Sequence, residues 1–142
     1  MITLKVQPSA AFAAKKLTYA KFIIYQEPEN GSLVLAPGTK SHHIEIFAEV
    51  AEELNQGYEM CYDEEQPFRV EHVFSGGLID INDGTLRISS ASDRFGGTPK
   101  AILSQFIPLL VKYFSVQKVE IVDSATIIHD DEGVSKWKKI II

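Results

Sequence analysis

The stretch whose reading decides the fold is "ISSASDRFGGTPKAILSQF", residues 88–106. It begins as the end of a strand, passes through small and polar residues to Gly96–Gly97, and continues as an apolar run of helical period. Thr98 stands where a helix cap would, and Pro99 where a first helical residue needs no N–H. Ile102, Leu103, Phe106, Ile107 and Leu110 share one face of that helix. Pro108 lies inside the same pattern. There it removes a backbone bond to Ser104 and clashes with the preceding turn, at about 3 kcal/mol if the helix runs straight, so a kink or break is expected. A strand that hands over to a helix in this way makes the domain mixed rather than all-β or all-α.

Upstream, "LIDI" and "TLRIS" flank "NDG" at 82–84, the strongest hairpin signal in the chain, because Asp-Gly supplies the positive φ angles of a tight turn. "FRVEHVF" (68–74) alternates with period two and predicts a strand with Phe68, Val70, His72 and Phe74 on one face. "ITLKV" (2–6), "KFIIY" (21–25), "SLVLA" (32–36) and "KVEIV" (118–122) also read as strands. A first helix is expected over 41–57, capped by Ser41 and stopped by Gly57. Its apolar face carries Ile44, Phe47, Ala48, Ala51 and Leu54, with Glu49, Glu52 and Glu53 outward. "ATII" and "VSKWKKIII" flank "HDDEG" as a terminal hairpin. The expected fold is α+β: a single mixed β-sheet packed with two main helices, plus a C-terminal hairpin over 125–142.

The 142 residues are most simply one domain, long enough to bury a core. A net charge of −5 gives no bulk attraction to nucleic acid or to an anionic membrane, though a local basic pocket is compatible with it. No segment approaches the roughly 20 apolar residues of a membrane span. The start is a poor secretory signal, since its lysines follow the small-residue run. One cysteine, Cys61, allows no internal disulfide, and the chain is expected in the cytoplasm.

Two places carry chemistry. In the quoted stretch, Gly96 and Gly97 let a backbone approach a ligand, Ser89, Ser90, Ser92 and Thr98 offer hydroxyls, and Arg94 offers a fork suited to phosphate. These features describe an anion-binding loop before a helix start, and equally a connection built of ordinary turn residues. The second place is the pair His42–His43 in the first helical turn. A helix N-terminus disfavours an imidazolium there, which suits a general base or nucleophile; the alternative is a pair of exposed histidines. "HDDE" (129–132) and "DEEQP" (63–67) read as solvated turns rather than metal ligands. His72 reads as a packed histidine, and the apolar end of "KWKKIII" as sheet packing or a subunit contact. Walker, GxGxxG, GxSxG and HExxH motifs are absent from the sequence.

Taken in order, four pieces resemble the protein-histidine phosphatase (janus/ocnus) family. "KFIIY" (21–25) is similar to the family's first core strand, which begins with a phosphate-facing lysine. "HIEIF" (43–47) is similar to its helix start, where the histidine is catalytic. "SGGL" (75–78) matches a glycine-rich strand start, and "SASDRFGGTPKAI" (90–102) the serine loop whose amides hold the phosphate. The resemblance spans residues 20–123; residues 1–16 read as an N-terminal extension. It implies a hydrolase with His43 as the catalytic residue and Lys21, Ser92, Asp93, Arg94 and Gly96 as the substrate-binding set. It implies neither metal nor other cofactor. The implied partner is a phosphorylated protein or small phosphoramidate, with no nucleic acid or membrane, and the C-terminal strand could pair with a second copy. Leu78 stands where the family has an arginine, and only Lys40 is available as a further upstream cation. Asp93 brings a negative charge into the loop. A non-catalytic phosphate-binding module on the same fold is the alternative reading.

Overall fold

The computed structural model describes residues 3–15, 17–54, 68, 70–90, 95–122, 125–129 and 135–139. Six strands form one mixed sheet in the order β1-β3-β2-β4-β5-β6. In chain order they are β1 (Leu4–Val6), β2 (Tyr19–Gln26), β3 (Leu33–Pro37), β4 (Val73–Asn82), β5 (Thr85–Ser89) and β6 (Lys118–Val122). β1 runs parallel to β3 and β5 parallel to β6, and the remaining pairs are antiparallel. β7 (Ala125–His129) and β8 (Ser135–Lys139) pair only with each other, as the expected hairpin.

Alternation along β2 divides the core. Ala20, Phe22 and Ile24 face one side, against α1 (Ala10–Lys15), α3 (Lys100–Gln105) and α4 (Ile107–Phe114). Ile23 and Tyr25 face the other, against α2 (His43–Leu54) and Phe68. Both sides of the central strands are therefore apolar, which explains the unbroken "FIIY" run in a strand that otherwise alternates. Phe22, Phe47, Phe68 and Phe106 are fully buried, each worth about 1.5–3 kcal/mol of transfer free energy.

Several local expectations meet the backbone directly. Asp83 and Gly84 have φ of 51° and 76°, the signature of a two-residue type I′ turn joining β4 to β5. The expected break at Pro108 is present. α3 ends at Gln105 and α4 restarts at Ile107, so Pro108 falls in a first turn where it forfeits no bond.

Other expectations are corrected. Residues 70–72 form a 3-10 turn rather than strand, and β4 begins only at Val73. Phe68 and His72 are stacked, with ring centroids 5.9 Å apart and an interplanar angle of 19°. Their four-residue spacing is that of a helical turn, which the period-two pattern also satisfied. A bulge between β2 and β4 then leaves Phe74 out of register and about half exposed. Thr98 does not cap α3. Pro99 occupies the cap position, and the Thr98 hydroxyl bonds to Ser75 (2.7 Å) and the Gly76 carbonyl (3.3 Å). Nor does Ser41 cap α2: the first helical carbonyl is that of His42, which accepts from Glu45 and Ile46. Glu49, expected outward, is half-buried and accepts hydrogen bonds from Ser9, from the Thr39 amide (3.3 Å) and from the Thr39 hydroxyl (2.9 Å). The expected Gly57 stop, Cys61 and residues 63–67 lie outside the described residues.

The N-terminal residues belong to the sheet and core. β1 is an edge strand, Ser9 caps α1 through the Phe12 amide (3.1 Å), and Phe12 packs edge-to-face on Phe114. Among the described residues no helix is long and apolar enough to cross a membrane.

Candidate functional site

The site grows from the crossing of α2 over the middle of β4. His43 is the first residue of α2 and is buried, with only 7% of its surface exposed. Its Nε2 lies 3.0 Å from the carbonyl oxygen of Gly77. A carbonyl only accepts, so the ring donates through Nε2–H, and in the neutral tautomer Nδ1 carries the basic lone pair. His42, one residue earlier, is exposed. The pair therefore separates into one ring inside and one ring in solvent.

Gly77 must be glycine for a reason independent of the histidine. A Cβ there would stand 2.3 Å from the Phe22 ring and 2.3 Å from the Ser89 carbonyl oxygen. That close approach holds the β2–β4–β5 backbones tightly together beneath the imidazole.

Lys21 lies directly opposite Leu78 on the neighbouring strand, and Leu78 lies opposite Ser89. Alternation with Phe22 places Lys21 on the α2 face, so Lys21, Leu78 and Ser89 form one cross-strand row on His43's side of the sheet. Lys21 is half-buried and Leu78 is buried. The Ser89 hydroxyl is fully buried and, among the described residues, has no hydrogen-bond partner.

The glycines at 96 and 97 lie beside the same segment of β4. Beyond the end of β5 the chain returns beside β4, where the Gly76 amide donates to the Gly96 carbonyl (3.1 Å) and Gly76 pairs with Gly97 as an isolated parallel bridge. Gly96 has φ of 79° and is exposed, so its positive φ serves the turn itself. Ser90 packs against Gly97, where a Cβ would come within 3.0 Å of its hydroxyl oxygen.

Of the residues singled out from the sequence, His43, Lys21 and Gly96 are each tied to the Gly76–Gly77–Leu78 segment of β4. Ser92, Asp93 and Arg94 lie outside the described residues. α3 is only six residues long, so backbone amides of the loop, more than a helix dipole, are the donors available near Gly96. Sequence reasoning gave no role to Gly77, which selects the ring tautomer, and placed Ser89 only among the loop hydroxyls, not in the row with Lys21 and Leu78. A signal for the second existed, since Ser89 follows the inward Leu86 and Ile88 as a small polar residue on the opposite face. Among the described residues no three His, Cys, Asp or Glu side chains are grouped to hold a metal ion. No protein-family model matches this chain, and no curated protein matches it either.

Proposed function

We propose that this chain is a phosphatase of the protein-histidine phosphatase type, acting without a metal on phosphohistidine or a related phosphoramidate. The observation that supports it most directly is the buried His43, held through Nε2 by the Gly77 carbonyl next to the Lys21–Leu78 pair. A ring fixed in this tautomer keeps its basic lone pair on Nδ1 and loses little freedom on reaction.

Two routes use that nitrogen. In one, Nδ1 takes a proton from water as the water oxygen attacks phosphorus, and the ring passes that proton to the substrate nitrogen as the P–N bond breaks. In the other, Nδ1 attacks phosphorus itself, the substrate nitrogen leaves with a proton, and water then cleaves the phosphoryl group from His43. In both, Lys21 and the amides of the glycine loop stabilise charge on the phosphoryl oxygens, with Ser92 and Arg94 as further donors. A P–N bond is labile enough for positioning and proton transfer to carry the reaction. The reading brings with it a phosphorylated protein or small phosphoramidate as partner and a cytoplasmic setting.

One observation favours a second reading. Leu78 is buried at the register position opposite Lys21, where the family resemblance leads one to expect a second cation. A site with one cation fewer suits recognition of a phosphoryl group without turnover.

The test is phosphate release from a phosphohistidine peptide by the wild type and by His43→Ala, with chelator present. Turnover that survives chelation and falls at least a thousandfold in the variant is expected. Saturable binding of the peptide with no release would favour the recognition module. Neither release nor binding would sink both readings.

A further inference from the structure

His43 reaches β4 by way of a short connection, residues 38–42, between β3 and α2. Ser41 and His42 are exposed, whereas Gly38 and Thr39 are held from below. The Gly38 amide donates to the Lys21 carbonyl (3.1 Å). A Cβ on Gly38 would stand 2.8 Å from the Ile46 side chain, so α2 rests directly on this backbone. The Thr39 amide donates to both carboxylate oxygens of Glu49 (3.3 Å each), and its hydroxyl donates to Oε2 (2.9 Å).

Glu49 also takes a donor from a third part of the chain. The Ser9 hydroxyl donates to its Oε1. Ser9 is buried, and its amide donates to the Pro37 carbonyl (3.1 Å), where the connection begins. One turn further along α2, Glu53 accepts from the Ala10 amide (2.7 Å). Glu45 and Glu52 of the same helix are exposed, whereas Glu49 is half-buried. A carboxylate only accepts, so Glu49 meets these donors without conflict, and such charge-assisted bonds are roughly twice as strong as neutral ones. Thr39 precedes His43 and Glu49 follows it, so the carboxylate closes a ring of chain that carries the histidine. The margin is narrow. The Nε2–Gly77 contact, at 3.0 Å, ceases to be a hydrogen bond after about half an ångström of drift. Reaction geometry is as sensitive, since a displacement of about 1 Å can cost on the order of a hundredfold in rate.

We propose that Glu49 is a positioning residue for His43. By fixing Thr39 and Ser9 on α2, it sets where the first helical turn delivers the imidazole to the Gly77 carbonyl. The N-terminal segment is thereby part of the scaffold of the site rather than an appendage. The effect on turnover rests on the phosphatase reading; the effect on the ring does not.

The experiment records the imidazole nitrogen NMR spectrum of the full chain and, on the same samples, hydrolysis of a phosphohistidine peptide. The His43 signals are assigned by their absence from His43→Ala. In the wild type they should show one tautomer, protonated at Nε2. Glu49→Ala should show both tautomers, with kcat lower by about tenfold or more and KM within about twofold. Glu49→Gln retains an acceptor oxygen, so it should keep the single tautomer and stay within about threefold of the wild-type kcat. Val116→Ala, which opens a cavity in the opposite core, should lower stability and move neither readout. Should Glu49→Ala fail to fold, Thr39→Val takes its place, with the same direction of change expected. An unmoved ring in the folded variant would overturn the proposal. So would a moved ring with kcat and KM both unchanged in an active enzyme. A moved ring in a chain whose wild type releases no phosphate would support the positioning role and count against the phosphatase reading alone.

Discussion

Gly77 joins packing to chemistry in one residue. Its missing side chain lets three strands approach, and its carbonyl selects the tautomer of His43. Gly77→Ala drives a methyl into a backbone oxygen, which cannot rotate away as a side chain would. We expect a loss of about 1–3 kcal/mol in urea unfolding, and a shift under about 0.5 kcal/mol would mean that the strands can part. Ser89 makes the opposite prediction. Its buried hydroxyl has no partner among the described residues, and such a group costs about 1–3 kcal/mol, so Ser89→Ala should leave the midpoint unchanged or raise it. A fall of several degrees in Tm would reveal a partner for the hydroxyl. The histidine's candidacy was legible because its type and its place at a helix start are both written locally. Its difference from His42 was not, because burial of one ring and exposure of the other depends on where α2 lands on β4.

The divided helix and the central hairpin show how far each element was decided by its own residues. Pro108 predicts a break wherever the chain places it, and the break is there. Since the proline now sits in a first turn, Pro108→Ala should change stability by less than about 1 kcal/mol. A gain near 3 kcal/mol would indicate a continuous helix. The β4–β5 hairpin likewise follows from Asp83-Gly84. On it, Asp80 lies opposite Arg87, which in turn lies opposite Glu120. Desolvation nonetheless raises the Asp80 pKa, with Arg87 only partly opposing it. A raised folded-state pKa means that Asp80 contributes most below its unfolded value, near 4, and that this contribution is lost as pH rises through the folded value. Asp80→Asn should therefore raise Tm at pH 7, with the difference shrinking toward pH 3. An equal or lower Tm at pH 7 would show that the Arg87 attraction outweighs burial. The strand expected over 68–74 begins only at Val73, and residues 70–72 turn instead, because a pattern of apolar residues at 68, 70, 72 and 74 also contains the i, i+4 pair that brings two rings together across a turn. Only the contact of Phe68 with Tyr25 and Phe47 favours the turn.

Across the whole molecule, the six-stranded sheet carries the core and the terminal hairpin forms a separate two-stranded sheet. Deleting residues 125–142 should leave cooperative thermal unfolding with Tm within a few degrees of the full chain. Loss of cooperativity would show that the hairpin supports the sheet. By itself the sequence determined the fold class, the tight hairpin, the helix break and most strand positions, because turn chemistry, proline geometry and apolar period act over a few residues. The strand order, the β1 edge, the capping of α1 by Ser9 and its tie to Glu49, and the joining of Lys21, His43 and the glycine loop at β4 were decided only by the tertiary structure. Each of these joins residues far apart along the chain, and their pairing follows from the burial of two faces of one sheet at once.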